Sequence, residues 1–196
     1  EFRRVLFRSP NKTDFDILIA GGGMIGTSLG LALAPLRLRV GIVEAVARGA
    51  SQQPSFDDRS TALSRSSQRT FEAMGLWPDI VAAATPIKHI HVSDKGHFGF
   101  SHIDAAEQNV EALGYVVINR VLGQVLQSAL AEVDGLDFIC PAKICGVKTS
   151  AGEVVATIEE PQGRRELSCR LLVAADGANS TVRDIDRKST RLNSSH

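Results

Sequence analysis

The sequence of 196 residues predicts an α/β fold, and three observations favour this class. An unbroken apolar run from Phe15 leads directly into glycines, and helical sequence follows from Met24 to Ala34. A second apolar run, Leu38 to Val43, ends at Glu44. Apolar runs of this kind are typical of strands buried on both faces of a parallel sheet. Alternating segments in the second half of the chain predict a β-meander beside that sheet.

The glycines after the first predicted strand have the G-x-G-x-x-G spacing, at Gly21, Gly23 and Gly26. The first permits a tight turn, the second lets backbone N–H groups approach a pyrophosphate, and the third lets helix and strand pack closely. Glu44 lies where a carboxylate would accept both hydroxyls of an adenosine ribose. We interpret this segment as a Rossmann-like dinucleotide site, with FAD and NAD both open. An ordinary glycine-rich turn is the other interpretation.

Composition argues against several classes of protein. The three cysteines, Cys140, Cys145 and Cys169, form no even disulfide framework, so we expect a reducing cytoplasm and no metal site. Residues 1–11 and 187–196 are basic or rich in Ser, Thr and Asn, and we expect a non-native leader and tail there. Residues 1–9 and 187–196 hold six of the 22 basic and one of the 22 acidic residues. The remaining chain is therefore acidic, and we expect no nucleic-acid partner.

The middle of the chain is predicted to form a helix and a hairpin. Helical spacing predicts a helix over Ser66 to Met74, with Gly75 placed to end it. Alternating residues after Pro86 predict a hairpin, with one strand through Ser93 and the other over His97 to Ile103. This hairpin interrupts the βα rhythm and is interpreted as an excursion into a second sheet.

The second half of the chain predicts one helix, Asn119 to Val133, and five strands. The strands are predicted over Leu136 to Cys140, Ala142 to Thr149, Glu153 to Glu159, Arg164 to Cys169, and Leu171 to Ala175, the last fully buried. The second to fourth of these segments alternate and are predicted to form the three-stranded meander. An Asp-Gly pair, Asp176 and Gly177, follows the last strand at the edge of the sheet where ligands bind.

These motifs together resemble one family, the class A FAD-dependent aromatic hydroxylases with the para-hydroxybenzoate-hydroxylase fold. Gly21-Gly-Gly-Met24-Ile25-Gly26 with Glu44 is similar to their first FAD fingerprint, and the run from Asp176 to Arg183 resembles their Asp-Gly motif. Within the family, the segments beginning at Phe56, Gly75 and His91 resemble the ubiquinone-biosynthesis 2-polyprenyl-6-methoxyphenol hydroxylases. The resemblance covers Asp14 to Arg183.

The resemblance implies a fold and a division of the chain. It implies a Rossmann-like FAD-binding domain with a three-stranded β-meander and part of an interleaved substrate-domain sheet, truncated to the N-terminal half. The FAD-binding domain would then comprise 12–86 and 119–186, with 87–118 as the substrate-domain excursion. The family's second FAD motif, which follows the Asp-Gly motif, is not found in this sequence.

The resemblance also implies an activity. The parent protein would be an FAD-dependent, NAD(P)H-using aromatic monooxygenase of ubiquinone biosynthesis that hydroxylates a polyprenylated phenol with O₂ through a flavin C4a-hydroperoxide. Its expected location is cytoplasmic, peripheral at the inner face of the cell membrane or in contact with a biosynthetic complex. The chain as given is expected to be inactive. An inactive dinucleotide-binding fragment and an NAD(P)-dependent Rossmann dehydrogenase remain as alternatives.

Beyond the glycines, Glu44 and Asp176, the resemblance assigns cofactor contacts to three basic residues. Arg59 would lie near the flavin and pyrophosphate, because an arginine fork suits two phosphate oxygens. The alternative for Arg59 is a surface ion pair with Asp57 or Asp58. Arg120 would reach an FAD phosphate from a helix N-terminus, or else is an ordinary helical arginine, and Lys143 would border the adenine through its backbone.

Overall fold

The computed structural model describes residues 13–47 and 57–193, with side chains through 187, and it contains two compact units. The first unit comprises Glu1–Gln52 and Val133–His196, and the second comprises Gln53–Glu132. Residues 1–12 and 48–56 lie outside the described residues. The predicted leader and Phe56 fall within these two ranges. In the described part, no helix is both long enough and apolar enough to cross a membrane.

The first unit is built on a six-stranded sheet. Its strands are β1 (Phe15–Ala20), β2 (Val40–Val43), β8 (Leu136–Ile139), β9 (Lys143–Ser150), β10 (Glu153–Glu160) and β11 (Gly163–Ala174), in the order β8-β2-β1-β11-β10-β9. Strands β8, β2, β1 and β11 are parallel, whereas β11, β10 and β9 form the antiparallel meander. The predicted α/β class with a meander is confirmed.

The first βαβ element follows the predicted pattern. Helix α1 (Met24–Leu33) connects β1 to β2, and a short 3₁₀ turn, Ala34–Leu36, ends it. Leu18 and Ile19 of β1 and Ile42 of β2 are fully buried. Ile19 and Ile42 lie on the face that α1 covers, whereas Leu18 belongs to a core cluster that includes residues of the meander. Gly41 lies opposite Leu18 in this pairing, and a Cβ at Gly41 would lie 2.9 Å from the Leu18 side chain.

Strand β11 corrects two of the predictions. The segments Arg164–Cys169 and Leu171–Ala175 were expected as separate strands, but they form one continuous strand of 12 residues. Its first half pairs with β10 and its second half with β1, with Cys169 paired on both sides. The second half is also not fully buried, since Leu171 is 52% exposed. Helix α5 (Thr181–Asn193) follows in this unit.

The described residues of the second unit form three helices and two small sheets. Its helices are α2 (Arg65–Ala73), α3 (Trp77–Val81) and α4 (Asn119–Ala131), and its strands are β3 (Ser60–Ser64), β4 (Thr85–Ile87), β5 (His89–Ser93), β6 (Phe100–Asp104) and β7 (Gly114–Ile118). One sheet has the order β3-β7-β4, and β5 and β6 form a separate antiparallel ribbon. The predicted helices α2 and α4 and the predicted hairpin are confirmed, although Ile87, expected in the first hairpin strand, belongs to β4. Helix α3 and strands β3 and β7 were not predicted.

Candidate functional site

The glycine turn between β1 and α1 leaves no room for a side chain at Gly21 or Gly26. Gly21 has φ +102°, a conformation that favours glycine, and a Cβ there would lie 2.5 Å from the Ala175 carbonyl oxygen. A Cβ at Gly26 would lie 1.9 Å from the Gly21 carbonyl oxygen, well inside any real contact. The first glycine therefore shapes the turn, and the third allows α1 to pack directly on it.

Glu44 is hydrogen-bonded to this turn. Its Oε2 accepts from the Gly22 N–H at 2.6 Å, and its Oε1 accepts from the Val46 N–H at 2.7 Å. The residue is buried, and the two amide hydrogen bonds stabilise its carboxylate. Because an ionised carboxylate can accept about four hydrogen bonds, both oxygens retain capacity for ligand hydroxyls. The predicted ribose contact of Glu44 stays a prediction.

The N-terminus of α1 presents unpaired backbone donors. No described side chain caps this helix, and its first turn contains no acidic residue. The first intrahelical bond runs from the Thr27 N–H to the Gly23 carbonyl at 2.9 Å, so the amides from Gly23 to Gly26 precede it. Met24 and Ile25 contribute two of these amides, and the Ile25 side chain is 74% exposed. Such an end attracts an anion such as phosphate.

Asp176 has one satisfied and one unsatisfied carboxylate oxygen. Its Oδ2 accepts from the Thr181 N–H at 2.7 Å and the Val182 N–H at 3.3 Å, and this caps α5. Its Oδ1 is buried and has no hydrogen-bond partner among the described residues. An unpaired buried acceptor is costly, so this oxygen favours a ligand that donates a hydrogen bond. Gly177 follows with φ +79° and completes the turn.

The Asp-Gly turn and the glycine turn lie side by side. Strands β1 and β11 are parallel neighbours with Ala20 opposite Ala174, and the Ala175 N–H donates to the Ala20 carbonyl at 2.7 Å. A Cβ on Gly21 would also lie 2.9 Å from the Asp176 Cα. The structure thus brings Gly21 and Asp176 together at the carboxyl edge of the sheet, where open α/β folds bind ligands.

Lys143 lies at the start of β9, next to a residue bonded to the Glu44 backbone. The Ala142 N–H donates to the Glu44 carbonyl at 2.7 Å. The Lys143 side chain is exposed. The geometry is compatible with a backbone contact near this end of the site, but the predicted adenine contact of Lys143 stays a prediction.

The two arginines belong to the second unit, and each is paired with an aspartate. Arg59 Nε donates to Asp57, and Arg120 Nε donates to Asp58 at 3.1 Å. Burial raises the pKa of Asp57, but hydrogen bonds from Arg59 and Asn119 outweigh it and hold that pKa below its usual value. The surface ion pair considered for Arg59 is therefore present. The phosphate-binding roles of Arg59 and Arg120 stay predictions.

Asn119 connects β3 to the start of α4 within this second unit. Its Oδ1 accepts from the Thr61 hydroxyl, and its Nδ2 donates to Asp57 Oδ1 at 3.0 Å. Its own N–H donates to the Arg59 carbonyl at 2.8 Å. Asn119 is buried, and these bonds fix the backbone that carries both arginines. Sequence reasoning gave it no role of its own, although an asparagine directly before a helical arginine was the available signal.

The histidines of the β5–β6 ribbon pair across the strands. His91 Nδ1 contacts His102 Nε2, and His89 Nδ1 lies 2.8 Å from Asp104 Oδ2. Within the described ranges, no group of three or more His, Cys, Asp or Glu side chains is arranged to hold a metal ion. Trp77, which is half-buried, packs edge-on against Tyr115 with ring centroids 4.8 Å apart.

A comparison with protein-family models decides between FAD and NAD, the two cofactors that the sequence left open. The model described as an FAD binding domain matches residues 14–189, which is most of the chain. The chain belongs to this FAD-binding domain family. FAD is therefore the cofactor, and the NAD-dehydrogenase alternative is set aside.

Two relatives of this chain are named as hydroxylases of ubiquinone or demethoxyubiquinol. The chain is 32% identical over 169 residues to the ubiquinone hydroxylase UbiL of Rhodospirillum rubrum, covering 86% of this chain and 38% of that protein. It is 31% identical over 176 residues to the 3-demethoxyubiquinol 3-hydroxylase of Escherichia coli, covering 87% of this chain and 43% of that protein. The chain thus spans about 40% of the length of these relatives.

Solved structures show the same fold. The p-nitrophenol 4-monooxygenase PnpA of Pseudomonas putida DLL-E4 matches with a TM-score of 0.72 at 20% identity, over 88% of this chain and 43% of that one. Aklavinone-11 hydroxylase, solved with FAD and aklavinone, matches with a TM-score of 0.68 at 21% identity, over 89% and 35%. The fold of the FAD-binding domain is thus that of the FAD-dependent aromatic hydroxylases, as the sequence predicted.

The residues of the first unit fit FAD. The backbone of the glycine turn packs directly against the Asp-Gly turn at Gly21 and against α1 at Gly26, and the amides at the start of α1 face no capping group among the described side chains. The buried Asp176 Oδ1 provides an acceptor that the described protein leaves unsatisfied. A dinucleotide with a pyrophosphate and several hydroxyls supplies the matching groups.

Proposed function

We propose that the protein carrying this chain is an FAD-dependent monooxygenase that hydroxylates a polyprenylated phenol in ubiquinone biosynthesis, using NAD(P)H and O₂. The observation that carries the proposal is that the glycine turn and the Asp-Gly turn are adjacent, and that the buried Asp176 Oδ1 has no hydrogen-bond partner among the described residues. The substrate class is inferred from relatives named as ubiquinone hydroxylases. Because the chain spans only part of their length, the activity belongs to the proposal.

FAD, when bound, supplies oxidation–reduction and oxygen chemistry that amino-acid side chains do not provide. In our proposal, the amides at the start of α1 bind its pyrophosphate, and Glu44 accepts hydrogen bonds from its ribose. Asp176 Oδ1 accepts a hydrogen bond from a further hydroxyl of the cofactor. These residues bind and orient the cofactor, and the reaction needs no protein side chain as a nucleophile.

Arg59 and Arg120 are proposed to bind cofactor phosphate in place of their aspartate partners. Both arginines are exposed in their present ion pairs, with side-chain exposures of 73% and 48%. Exposed ion pairs of this kind contribute about 0–1 kcal/mol to stability. Replacing the aspartate partner of each arginine with a cofactor phosphate therefore costs little. An arginine fork forms two parallel hydrogen bonds to phosphate oxygens, which a lysine cannot match.

The activity is tested on the full-length protein. We expect oxidation of NADPH or NADH to depend on a polyprenylated phenol, with one O₂ consumed per hydroxylated product found by mass spectrometry. A matched aromatic compound without the phenolic hydroxyl serves as the control and should not be hydroxylated. Oxygen uptake without hydroxylated product would contradict the proposed activity while leaving FAD binding intact.

A further inference from the structure

Thr27 is a buried polar residue of α1 to which neither the motif nor the family fingerprint assigns a role. Its side chain is 1% exposed, and its hydroxyl Oγ1 donates to the Gly22 carbonyl at 3.0 Å. Its backbone N–H donates to the next carbonyl, that of Gly23, at 2.9 Å. Thr27 therefore holds two consecutive carbonyls of the glycine turn from the helix side.

The hydroxyl bond fixes the direction of one particular amide. In a planar trans peptide, the carbonyl and the following N–H point in opposite directions. The Gly22 carbonyl points toward the Thr27 hydroxyl, so the Gly23 N–H points away from it. This N–H makes no hydrogen bond to any part of the chain that the structure describes. It is the donor of the second motif glycine, the position where a close approach to pyrophosphate is expected.

Gly22 is also held from its other side. Its own N–H donates to Glu44 Oε2 at 2.6 Å, and a Cβ at Gly22 would lie 2.7 Å from the Phe138 ring. Glu44 and Thr27 thus bind the two peptide groups that flank the Gly22 Cα, one through its N–H and the other through its carbonyl. With both peptide planes fixed, the turn has little freedom to rotate its outward-facing donor.

We propose that Thr27 is a positioning residue that holds the Gly22–Gly23 peptide so that the Gly23 N–H is directed at the FAD pyrophosphate before the cofactor binds. This inference rests on the proposed placement of the pyrophosphate at the glycine turn. Preorganised donors bind more tightly because less ordering remains to be done on binding. Loss of the hydroxyl should therefore weaken binding of FAD more than it weakens the fold.

The test compares Thr27→Val, which keeps the shape and removes the hydroxyl, with Thr27→Ser, which keeps the hydroxyl. Thr70→Val is the control for loss of a hydroxyl bond outside the glycine turn, because the exposed Thr70 hydroxyl also donates to a helix carbonyl, that of Ser66, at 3.0 Å. Dissociation constants for FAD are measured in the intact protein by flavin fluorescence. The thermal midpoint of each cofactor-free variant is measured in parallel.

We expect Thr27→Val to raise the dissociation constant for FAD about tenfold, which is the loss of roughly one good hydrogen bond. Thr27→Ser should stay within about twofold of the unaltered protein, and Thr70→Val should not change binding. ADP, used as a competitor of FAD, should lose affinity by the same factor, because it carries the pyrophosphate without the flavin. Thr27→Ala replaces Thr27→Val if the valine variant does not fold.

Three results would overturn the inference. The first is an FAD affinity in Thr27→Val that equals that of the unaltered protein. The second is a loss of FAD affinity in Thr27→Ser as large as that in Thr27→Val, and the third is a loss that large in Thr70→Val. If the unaltered protein itself fails to bind FAD, the proposed function fails and the inference fails with it, which distinguishes that outcome from the other three.

Discussion

At the residue scale, the first unit depends on close backbone contacts that only glycine allows. The three motif glycines were predicted from their spacing, and the structure gives Gly21 and Gly26 a steric reason. Gly22, an unspecified position in the motif, is equally constrained, since its Cβ would lie 2.7 Å from Phe138 and 2.8 Å from the Glu44 Cβ. That constraint depends on residues distant in sequence, so the motif alone could not predict it.

Gly26→Ala should destabilise the protein by about 3 kcal/mol, because its Cβ would meet a backbone oxygen that cannot move aside. Urea unfolding followed by circular dichroism measures the change. Gly146→Ala is the matched control, since its nearest contact is the Thr157 Oγ1 at 3.3 Å. Equal destabilisation by both changes would show that the contact between Gly26 and Gly21 is not the cause.

Cys169 should be chemically inert in the folded protein. Burial raises the pKa of its thiol to about 11, so it remains protonated and unreactive at pH 8. Alkylation at pH 8 followed by peptide mass spectrometry should label Cys145, which is partly exposed, well before Cys169. In denaturant both should be labelled at similar rates. Rapid native labelling of Cys169 would mean that β11 opens locally.

The hydrogen-bond partners of the site residues were less predictable than their positions. Glu44 was expected to bind ribose hydroxyls, yet it also binds the Gly22 and Val46 amides. Thr27 carried no signal in the sequence, since a threonine after the third glycine is compatible with any polar or small residue there. The Glu44 contact depends on a residue 22 positions along the chain, and the Thr27 contact depends on the orientation of the Gly22 carbonyl, and the glycine spacing specifies neither.

At the element scale, strands with strong local patterns were predicted and strands defined by their partners were not. The meander followed from alternation, but Arg170 interrupts the apolar pattern and made one strand look like two. Pairing with β10 on one side and β1 on the other keeps β11 continuous. Strand β3, Ser60–Ser64, is polar and is held by β7, so its own sequence gives little β signal.

A hydrogen-bonded clasp joins the residue before β1 to β11 and should make stability depend on acid. Asp14 Oδ2 accepts from the Ser168 N–H at 2.8 Å and the Ser168 hydroxyl at 2.9 Å. The Ser168 backbone N–H first, and then its hydroxyl, lower the pKa of Asp14 below its usual 3.8. A lowered carboxyl pKa stabilises the fold above pH 3.8, and that contribution is lost as the pH falls through the lowered value.

Asp14→Asn should therefore reduce the difference in urea midpoint between pH 7 and pH 3, because the variant cannot titrate at this position. Urea titrations at several pH values measure this difference. Asp137→Asn on β8 is the control, because Asp137 is exposed and its carboxylate makes no hydrogen bond within the described residues. An identical pH dependence in Asp14→Asn and the unaltered protein would contradict the role of the clasp.

At the scale of the whole molecule, cofactor binding should stabilise the fold. At FAD concentrations about 100 times the dissociation constant, mass action contributes about 2.7 kcal/mol. For a chain of this size, we expect a rise in Tm of roughly 5–10 °C. Differential scanning fluorimetry with a dye that does not overlap flavin emission, or calorimetry, measures this rise.

Asp176→Asn should reduce this FAD-dependent rise by more than half. The amide can still cap α5 with its oxygen, but it places an NH₂ group where the structure has the buried acceptor Oδ1. Asp137→Asn serves again as the control and should show the full rise. A full rise in Asp176→Asn would contradict the proposed contact between Asp176 and the cofactor.

The overall architecture was predicted more completely than its subdivision. The FAD-binding fold and its family followed from two motifs and their order along the chain, and the family match supports both. The two compact units divide the described chain near residues 52 and 133. The proposed limits of the substrate-domain excursion, 87–118, stay a prediction, because β3, β4 and β7 form one sheet that spans them.

The continuity of β11 has a consequence for how the gene tolerates insertions and deletions. The register of β11 against β10 is set by seven residue pairs, from Gly163 to Cys169 on β11. This register determines where the strand ends and where Asp176 lies. An extra codon in the turn at 161–163 can be absorbed by a longer loop. An extra codon inside the strand would turn every later side chain to the opposite face and carry the aspartate away from the glycine turn. Length variation should therefore accumulate in the meander loops and be excluded from the strand itself.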